Sequence, residues 1–279
     1  MKKIPQDIFG NVAVLKFPRR SFWLVRKFLA WRFLKNHPSV NTVLEKVSGF
    51  SGKLRTHETR WLAGVRTKNV VYRENGCVFR FNVDEVYFSP RLSNERKLIA
   101  ERVVRLAKKN SEILVMFAGV APYSILIAKG LKRAGRPTGV PLGVASSGKE
   151  ASDGAKVKVY SNELNRLANG FARKNVVANK VGDIVDFVDG DVRALPKKLK
   201  KRFDIIVMPR PNLGDTFLDV ALKMSKKGTV VFYHGFGTRE KVLDEIKHVC
   251  GKKVGKISIR KAGDIGRDSF RWLAEFKVL

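Results

Sequence analysis

From about residue 110 the chain alternates short apolar runs with amphipathic stretches, and that rhythm restricts the fold more than any other feature of the sequence. Ile113 to Phe117 reads as a buried strand, Tyr123 to Leu131 as a helix, Lys156 to Tyr160 as a strand and Glu163 to Asn175 as a helix. Ile184 to Val188, Ile205 to Met208 and Thr229 to Tyr233 continue the strands, with helices near Thr216 to Ser225 and Thr238 to Val249. Short strands that are apolar throughout must be covered on both faces, and a parallel sheet wrapped by helices does this. Two last runs, Ile257 to Arg260 and Phe270 to Val278, are expected to supply an antiparallel edge. The expected class is α/β, with a doubly wound, Rossmann-like sheet over 110–279.

Residues 1–86 read as a smaller α+β domain. Its strand Val12 to Phe17, helix Ser21 to Lys35 and strands near Thr42 to Val47 and Val70 to Phe81 are separated by turn chemistry at His37-Pro38, Ser48-Gly49, Ser51-Gly52 and Asn75-Gly76. The segment Phe22 to Leu34 (FWLVRKFLAWRFL) resembles a basic amphipathic helix that could lie on anionic lipid. Inside a longer folded pattern, the expectation is instead core on one face and solvated Arg and Lys on the other. Residues 87–109 link the two domains, with helical spacing of Leu98, Ile99, Val103 and Leu106. Residues 130–156, rich in Gly, Ser, Lys and Pro, interrupt the rhythm and are expected to be a flexible insertion that either touches RNA or has no role.

The charge narrows the partner. Lys and Arg number 56 against 25 Asp and Glu, a formal balance of +31 over 279 residues. Such an excess repels itself unless a polyanion is near, and each neutralised phosphate releases counterions, so nucleic acid is the expected partner. The alternative is a generally basic, soluble surface. With 44% hydrophobic residues the chain has material for a packed core, which excludes a disordered basic tail. No apolar run suits a membrane span and MKKIPQDIFG lacks a signal-peptide apolar region, so a cytoplasmic protein is expected. Cys77 and Cys250 provide neither metal-ligand spacing nor a disulfide framework.

Three strand ends carry the chemistry. The first runs into Phe117-Ala118-Gly119-Val120-Ala121-Pro122, a small-residue turn before a helix that offers backbone N–H groups to a ligand. It is not GxGxxG, which argues against NAD. The next ends at Glu163, placed to accept ribose hydroxyls, and the third at Asp189-Gly190-Asp191, where Asp191 could hold an adenine amine. A turn and two acids at successive strand ends describe an S-adenosylmethionine pocket.

The block Val86-Tyr87-Phe88-Ser89-Pro90-Arg91-Leu92 with Glu95-Arg96, followed by Met116-Phe117-Ala118-Gly119-Val120, resembles the archaeal and eukaryotic tRNA (guanine-N1)-methyltransferases that act on guanosine 37 of the anticodon loop. The likeness extends to Ile8 to Leu15, Ser51 to Arg55 with Leu62-Ala63-Gly64, Glu74 to Cys77, Lys174-Asn175 with Asn179, Gly190 to Arg193 and the C-terminal strands. It implies a class I methyltransferase sheet, S-adenosylmethionine as methyl donor, and the tRNA anticodon stem-loop as partner of a monomer without membrane association. It also implies that Glu95 is the general base for guanine N1 and that Arg55 stabilises charge on O6. Tyr87 and Arg91 match positions beside the target base, where a planar group can stack on an extruded nucleotide. The alternative for Glu95 is a solvated helix acid paired with Arg91 or Lys97.

Three departures from the family pattern stand out. Val115 occupies a place usually held by Asp, and Ala121 one usually held by Gly. Where the family carries Asn-Leu-Pro, with an Asn taken to orient the guanine, this chain reads Pro209-Arg210-Pro211-Asn212. Pro209 has no side-chain donor, so Arg210 or Asn212 is expected to substitute at the RNA, or the reaction and base choice differ. The resemblance starts at the family's second domain. The expectation is that phosphate contacts from Lys197, Lys198, Lys200, Lys201 and Arg202 partly replace the missing N-terminal domain and that tRNA affinity falls steeply with salt. Aminocarboxypropyl transfer in the wybutosine pathway, methylation of a tricyclic guanosine derivative, and a catalytically inactive basic RNA-binding protein remain open alternatives, as does a requirement for Mg²⁺.

Overall fold

The computed structural model describes residues 4–18, 20–49, 52, 54–135, 157–266 and 269–279. β1 (Gln6–Phe9) and β2 (Val12–Leu15) form an antiparallel pair, and α1 (Trp23–Asn36) crosses to β3 (Thr42–Lys46), which lies parallel to β2. β4 (Thr59–Gly64) returns antiparallel to β3. Alternate residues of a strand face opposite sides. Val12, Val14 and Leu44 therefore enter the main core, while Ala13, Leu15 and Val43 pack on the other face with Ala30 of α1.

The run Val70 to Phe81 is a hairpin, β5 (Asn69–Glu74) and β6 (Cys77–Asn82), turned by Asn75 (φ +49°) and Gly76 (φ +73°), the residue pair that a two-residue turn with both centres left-handed favours. The turn between β1 and β2 abuts β5 so closely that a Cβ at Gly10 would stand 2.2 Å from the Val71 carbonyl oxygen. A short 3₁₀ turn at Pro90–Leu92 leads into α2 (Ser93–Leu106).

The remaining elements are β7 (Glu112–Val115), α3 (Pro122–Arg133), β8 (Lys158–Glu163), α4 (Arg166–Ala178), β9 (Val185–Asp189), α5 (Leu195–Lys198) and β10 (Phe203–Met208). They continue with α6 (Leu218–Lys223), β11 (Ser225–Gly237), α7 (Arg239–Cys250), β12 (Ser258–Gly266) and β13 (Ser269–Lys277). The sheet order is β12-β13-β11-β10-β7-β8-β9, with β11, β10, β7, β8 and β9 parallel. The C-terminal pair supplies the expected antiparallel edge. β13 inserts between β11 and β12, antiparallel to both, and only β12 is terminal. Strand order reverses between β7 and β10, which opens a crevice at the carboxyl ends of the strands. Of the expected insertion, residues 130–135 belong to α3 and its end, and 136–156 lie outside the described residues.

The expected boundary at residue 86 does not divide two cores. One cluster runs from Phe9, Val70 and Phe79 through Val103 to Ile125 and Val207. Polar side chains lock the hairpin to the large sheet's helices. Asn175 on α4 and Asn179, which caps its C-terminus, exchange hydrogen bonds with the backbone of Arg80 and Val78 along β6, satisfying that strand's exposed edge. Arg96 on α2 pairs through two 2.6 Å contacts with Glu74 at the end of β5, both side chains buried, and donates to the Ser89 carbonyl.

Candidate active site

After β7 the backbone turns through three left-handed residues, Phe117 (φ +56°), Gly119 (φ +57°) and Ala121 (φ +65°), before Pro122 opens α3. Two of the three are not glycine, so the turn holds conformational strain that its neighbours must support. The supports are hydrogen bonds from adjacent strand ends. Ala118 N donates to the Asn162 carbonyl at 2.8 Å, and the Glu163 carboxylate accepts from Gly119 N at 2.7 Å and Asn165 N at 2.8 Å. The Asn162 side chain reaches on to the carbonyls of Val188 and Gly190, at 2.7 and 3.0 Å. Burial pushes the Glu163 carboxyl above the usual carboxylate range, with the Asn165 and Gly119 N–H groups opposing it.

A cavity of about 370 Å³ opens over these strand ends, within the range of small-molecule sites. Phe117, Ala118, Gly119, Glu163, Asp191 and Pro209 all line it, so the structure brings the expected cofactor positions together, with Ala121 in the turn behind them. Asp191 is half exposed; one oxygen caps the turn at Arg193 N (2.8 Å) and the other lies 3.5 Å from the Arg193 guanidinium. Across the cavity stand Arg55 and Tyr87, the guanidinium 4.6 Å from the ring centroid, so residues before 86 do fold over the strand ends.

Other lining residues escape the sequence reading. Phe217, itself left-handed (φ +57°), meets Phe117 edge to face with centroids 5.0 Å apart, and the Arg193 guanidinium lies over its ring at 4.6 Å. Arg193 had a signal, its place directly after Gly190-Asp191-Val192, whereas Phe217 belongs to no periodic pattern. Tyr123 and Arg271 also line the cavity, and the buried Tyr123 hydroxyl has no hydrogen-bond partner among the described residues. An orphaned hydroxyl, two aromatic rings and two acids beside a backbone turn suit a polar, aromatic ligand such as S-adenosylmethionine.

Glu95 is not the solvated helix acid of the alternative expectation. It is buried rather than solvated, and its partners are neither Arg91, which pairs with Asp7, nor Lys97, which lies 4.0 Å from Glu101. Arg260 of β12 grips both carboxylate oxygens at 2.8 and 3.0 Å, and His234 Nε2 of β11 lies 3.3 Å from one of them. Burial opposes ionisation, but the His234 and Arg260 hydrogen bonds outweigh it and hold the carboxyl below its usual range. Burial also depresses His234, with the Glu95 hydrogen bond opposing it. Glu95 is not among the residues of the cavity wall, although its neighbours Leu92 and Arg96 are.

Several expected RNA contacts need correction. Arg210 lines the cavity yet is buried, with Nη1 donating to the Leu213 and Asp215 carbonyls and Nη2 to Glu245, each at 3.2 Å. It therefore shapes the loop after β10, because its charge is already spent inside the protein. Lys201 pairs with Glu112 at the amino end of β7, the opposite end of the sheet from the cavity. Lys198 donates to the Asp189 carbonyl near the rim, while Lys197, Lys200, Arg202, Arg91 and Asn212 are exposed. Among the described residues no group of three or more His, Cys, Asp or Glu is placed to hold a metal ion, and no helix is long and apolar enough to cross a membrane.

Comparison with known proteins places this geometry in a family. The family model described as the TRM5/TYW2 methyltransferase domain matches residues 70–146 and 148–258. The tRNA (guanine(37)-N(1))-methyltransferase Trm5b of Pyrococcus abyssi is 30% identical over 231 residues, which cover 83% of this chain but only 59% of that relative. The tRNA (guanine(37)-N(1))/4-demethylwyosine(37)-methyltransferase Taw22 of Nanoarchaeum equitans is 31% identical over 303 residues, covering 91% of this chain and 96% of that one. The crystal structure of wild-type Trm5b from Pyrococcus abyssi superposes with a TM-score of 0.76 at 28% identity, over 98% of this chain and 74% of that one. From the strand order, the turn after β7 and these matches together, the chain belongs to the TRM5/TYW2 methyltransferase family.

Proposed function

We propose that the protein transfers a methyl group from S-adenosylmethionine to N1 of guanosine 37 in tRNA. The observation that carries this reading is the shared cavity, in which the strand-end turn and acids face Arg55 and Tyr87 from the small domain. S-adenosylmethionine, when bound, supplies an electrophilic methyl group. The turn at 117–121, Glu163, Asp191 and the Phe117–Phe217 pair would hold it. Guanine N1 carries a proton, so alkylation there requires a base, and negative charge accumulates on O6 as the proton leaves. Arg55, on the facing wall of the cavity, would meet that charge. Glu95 takes the proton on an oxygen that Arg260 also holds, and the half-exposed Arg260 would turn aside or share that oxygen as the substrate enters.

The loop after β10 favours a second substrate for the same chemistry. Pro209 and Pro211 line the cavity where a side-chain donor to guanine is usual, and Arg210 is turned into the protein. Without that donor the pocket discriminates less among bases, and a tricyclic guanosine such as 4-demethylwyosine, the second substrate in the name of the Nanoarchaeum relative, fits the same reading. The test is incubation with radiolabelled S-adenosylmethionine and tRNA carrying guanosine, adenosine or 4-demethylwyosine at position 37. Label on guanosine tRNA establishes the first reading, and label confined to 4-demethylwyosine tRNA replaces it with the second. Absence of label on all three, with S-adenosylmethionine bound, refutes both.

A further inference from the structure

Helix α1 is the outer layer of the small domain. Ala30, with Leu29, Phe33 and Leu34, packs on the sheet face that looks away from the core containing the cavity's strands. The opposite side of α1, which a surface helix normally keeps polar, is apolar. Phe22, Leu24, Val25, Phe28 and Trp31 stand in solvent with 81, 77, 48, 58 and 49% of their surface exposed. Leu24, Phe28, Trp31 and Lys35 form one line down the helix, at i, i+4, i+7 and i+11. The expected core face is present at Leu29, Ala30, Phe33 and Leu34, but the solvated face carries large apolar residues beside its Arg and Lys.

Charge selects the partner. Arg20, Lys27, Arg32 and Lys35 are exposed around the stripe, and the sequence has no Asp or Glu between Asp7 and Glu45. The Lys35 ammonium lies 3.8 Å from the Trp31 ring centroid, so the apolar and cationic groups form one surface. A second copy of this chain would bring the same cations face to face, and is disfavoured by the net charge of +31. RNA would satisfy the cations and stack on aromatic rings, but it gains little from Leu24 and Val25. A bilayer with anionic headgroups satisfies both, because aliphatic and aromatic side chains enter the acyl boundary while Lys and Arg reach the phosphates.

We propose that α1 is a lipid-docking face that lays Leu24, Phe28 and Trp31 into the surface of an anionic bilayer, with Arg20, Lys27, Arg32 and Lys35 on the headgroup phosphates. Because β1 to β4 stand between this face and the main core, docking leaves the cavity open to its own substrate. The proposal is independent of which nucleoside the enzyme methylates.

The full chain is mixed with vesicles of phosphatidylcholine alone, or of phosphatidylcholine with phosphatidylglycerol, and binding is followed by co-sedimentation across a salt series. A protein this basic collects on any anionic vesicle at low salt, so the informative signals are binding that survives salt and insertion of tryptophan. Expected are a blue-shifted emission and quenching by brominated acyl chains on the anionic vesicles. In the charge-neutral double variant Leu24→Asn/Phe28→Asn, partitioning falls roughly a hundredfold, the scale of removing two large apolar side chains from the acyl boundary. Unchanged S-adenosylmethionine binding shows that the variant is folded, and wild-type quenching tests the proposal without any variant. Absence of quenching overturns it, as does equal vesicle binding by the variant. Loss of tRNA affinity in the variant with vesicle binding intact overturns it in favour of an RNA contact.

Discussion

Along the carboxyl ends of β7, β8 and β9 the cavity wall is made by backbone, with strand ends hydrogen-bonded to one another through Asn162 and Glu163. Behind the facing wall, the chemistry sits on long side chains held by ion pairs, with Arg260 on Glu95 and Arg91 on Asp7. Backbone amides have no alternative rotamer, so the first wall is formed before any ligand arrives. An ion pair with one exposed member can be exchanged for a substrate phosphate or base, and the Arg260 side chain is 44% exposed. The first wall is thus preorganised and the second switchable, a division that suits the proposed transfer to tRNA.

Two substitutions test that division from opposite sides, and the larger effect is on turnover. Glu95→Gln should lower methyl transfer by roughly 10²- to 10⁴-fold, the usual contribution of a general base, while S-adenosylmethionine binding measured by calorimetry stays unchanged. If the variant turns over like wild type, Glu95 is a structural member of the Arg260–His234 cluster and nothing more. Glu163→Ala should do the reverse. It strands the N–H groups of Gly119 and Asn165, costing about 2–4 kcal/mol in urea unfolding and weakening cofactor binding before it touches the chemical step. An effect on turnover alone would erase the distinction between the walls.

The ion-pair half can also be read through pH. Arg260 and His234 hold the Glu95 carboxyl below its usual range, so the group stabilises the fold above its unfolded value and loses that contribution as pH falls through the folded one. His234, also depressed, adds a loss of stability that begins as pH drops below about 6.5. Removing the guanidinium in Arg260→Ala leaves burial opposed by His234 alone, so the carboxyl rises. The acid limb of the kcat/KM profile should then move to higher pH, and acid unfolding should begin at higher pH. Arg260→Lys should restore part of the shift. An acid limb that stays in place would show that Glu95 does not set it.

How much of this was legible in the sequence differs between the same two regions. The parallel strands and their order of chemistry could be read because buried strands are apolar throughout and the turn at 117–121 and the acids Glu163 and Asp191 are local in sequence. β1 and β4 were hidden: each is short, and β4 mixes exposed Arg60 with buried Leu62 in a way that matches neither period cleanly. The partners of Glu95 were out of reach, since they lie 139 and 165 residues away and no local pattern links a helix acid to β11 and β12. Arg210 was misread for the same reason. A lone Arg between prolines suggests a solvated contact, and only the fold shows Glu245 and two carbonyls waiting for it.

The smallest test concerns how rigid the preorganised wall is. Ala121 adopts φ +65°, a conformation that costs an L-residue about 1–2 kcal/mol and glycine almost nothing. It is buried, donates to the Ala118 carbonyl at 2.9 Å, and accepts from Ile125 N at 2.9 Å, so the strain is held by the start of α3. Ala121→Gly should relieve most of that strain but also enlarge the unfolded ensemble and leave a methyl-sized gap, for a net gain of about 0.5 kcal/mol in urea unfolding. Affinity for S-adenosylmethionine should change by less than about threefold, because the supporting hydrogen bonds of Glu163 and Asn162 remain. A larger loss of affinity would mean that the Ala121 methyl packs the turn into its binding shape, and that rigidity in this wall comes from side-chain packing as well as from the backbone.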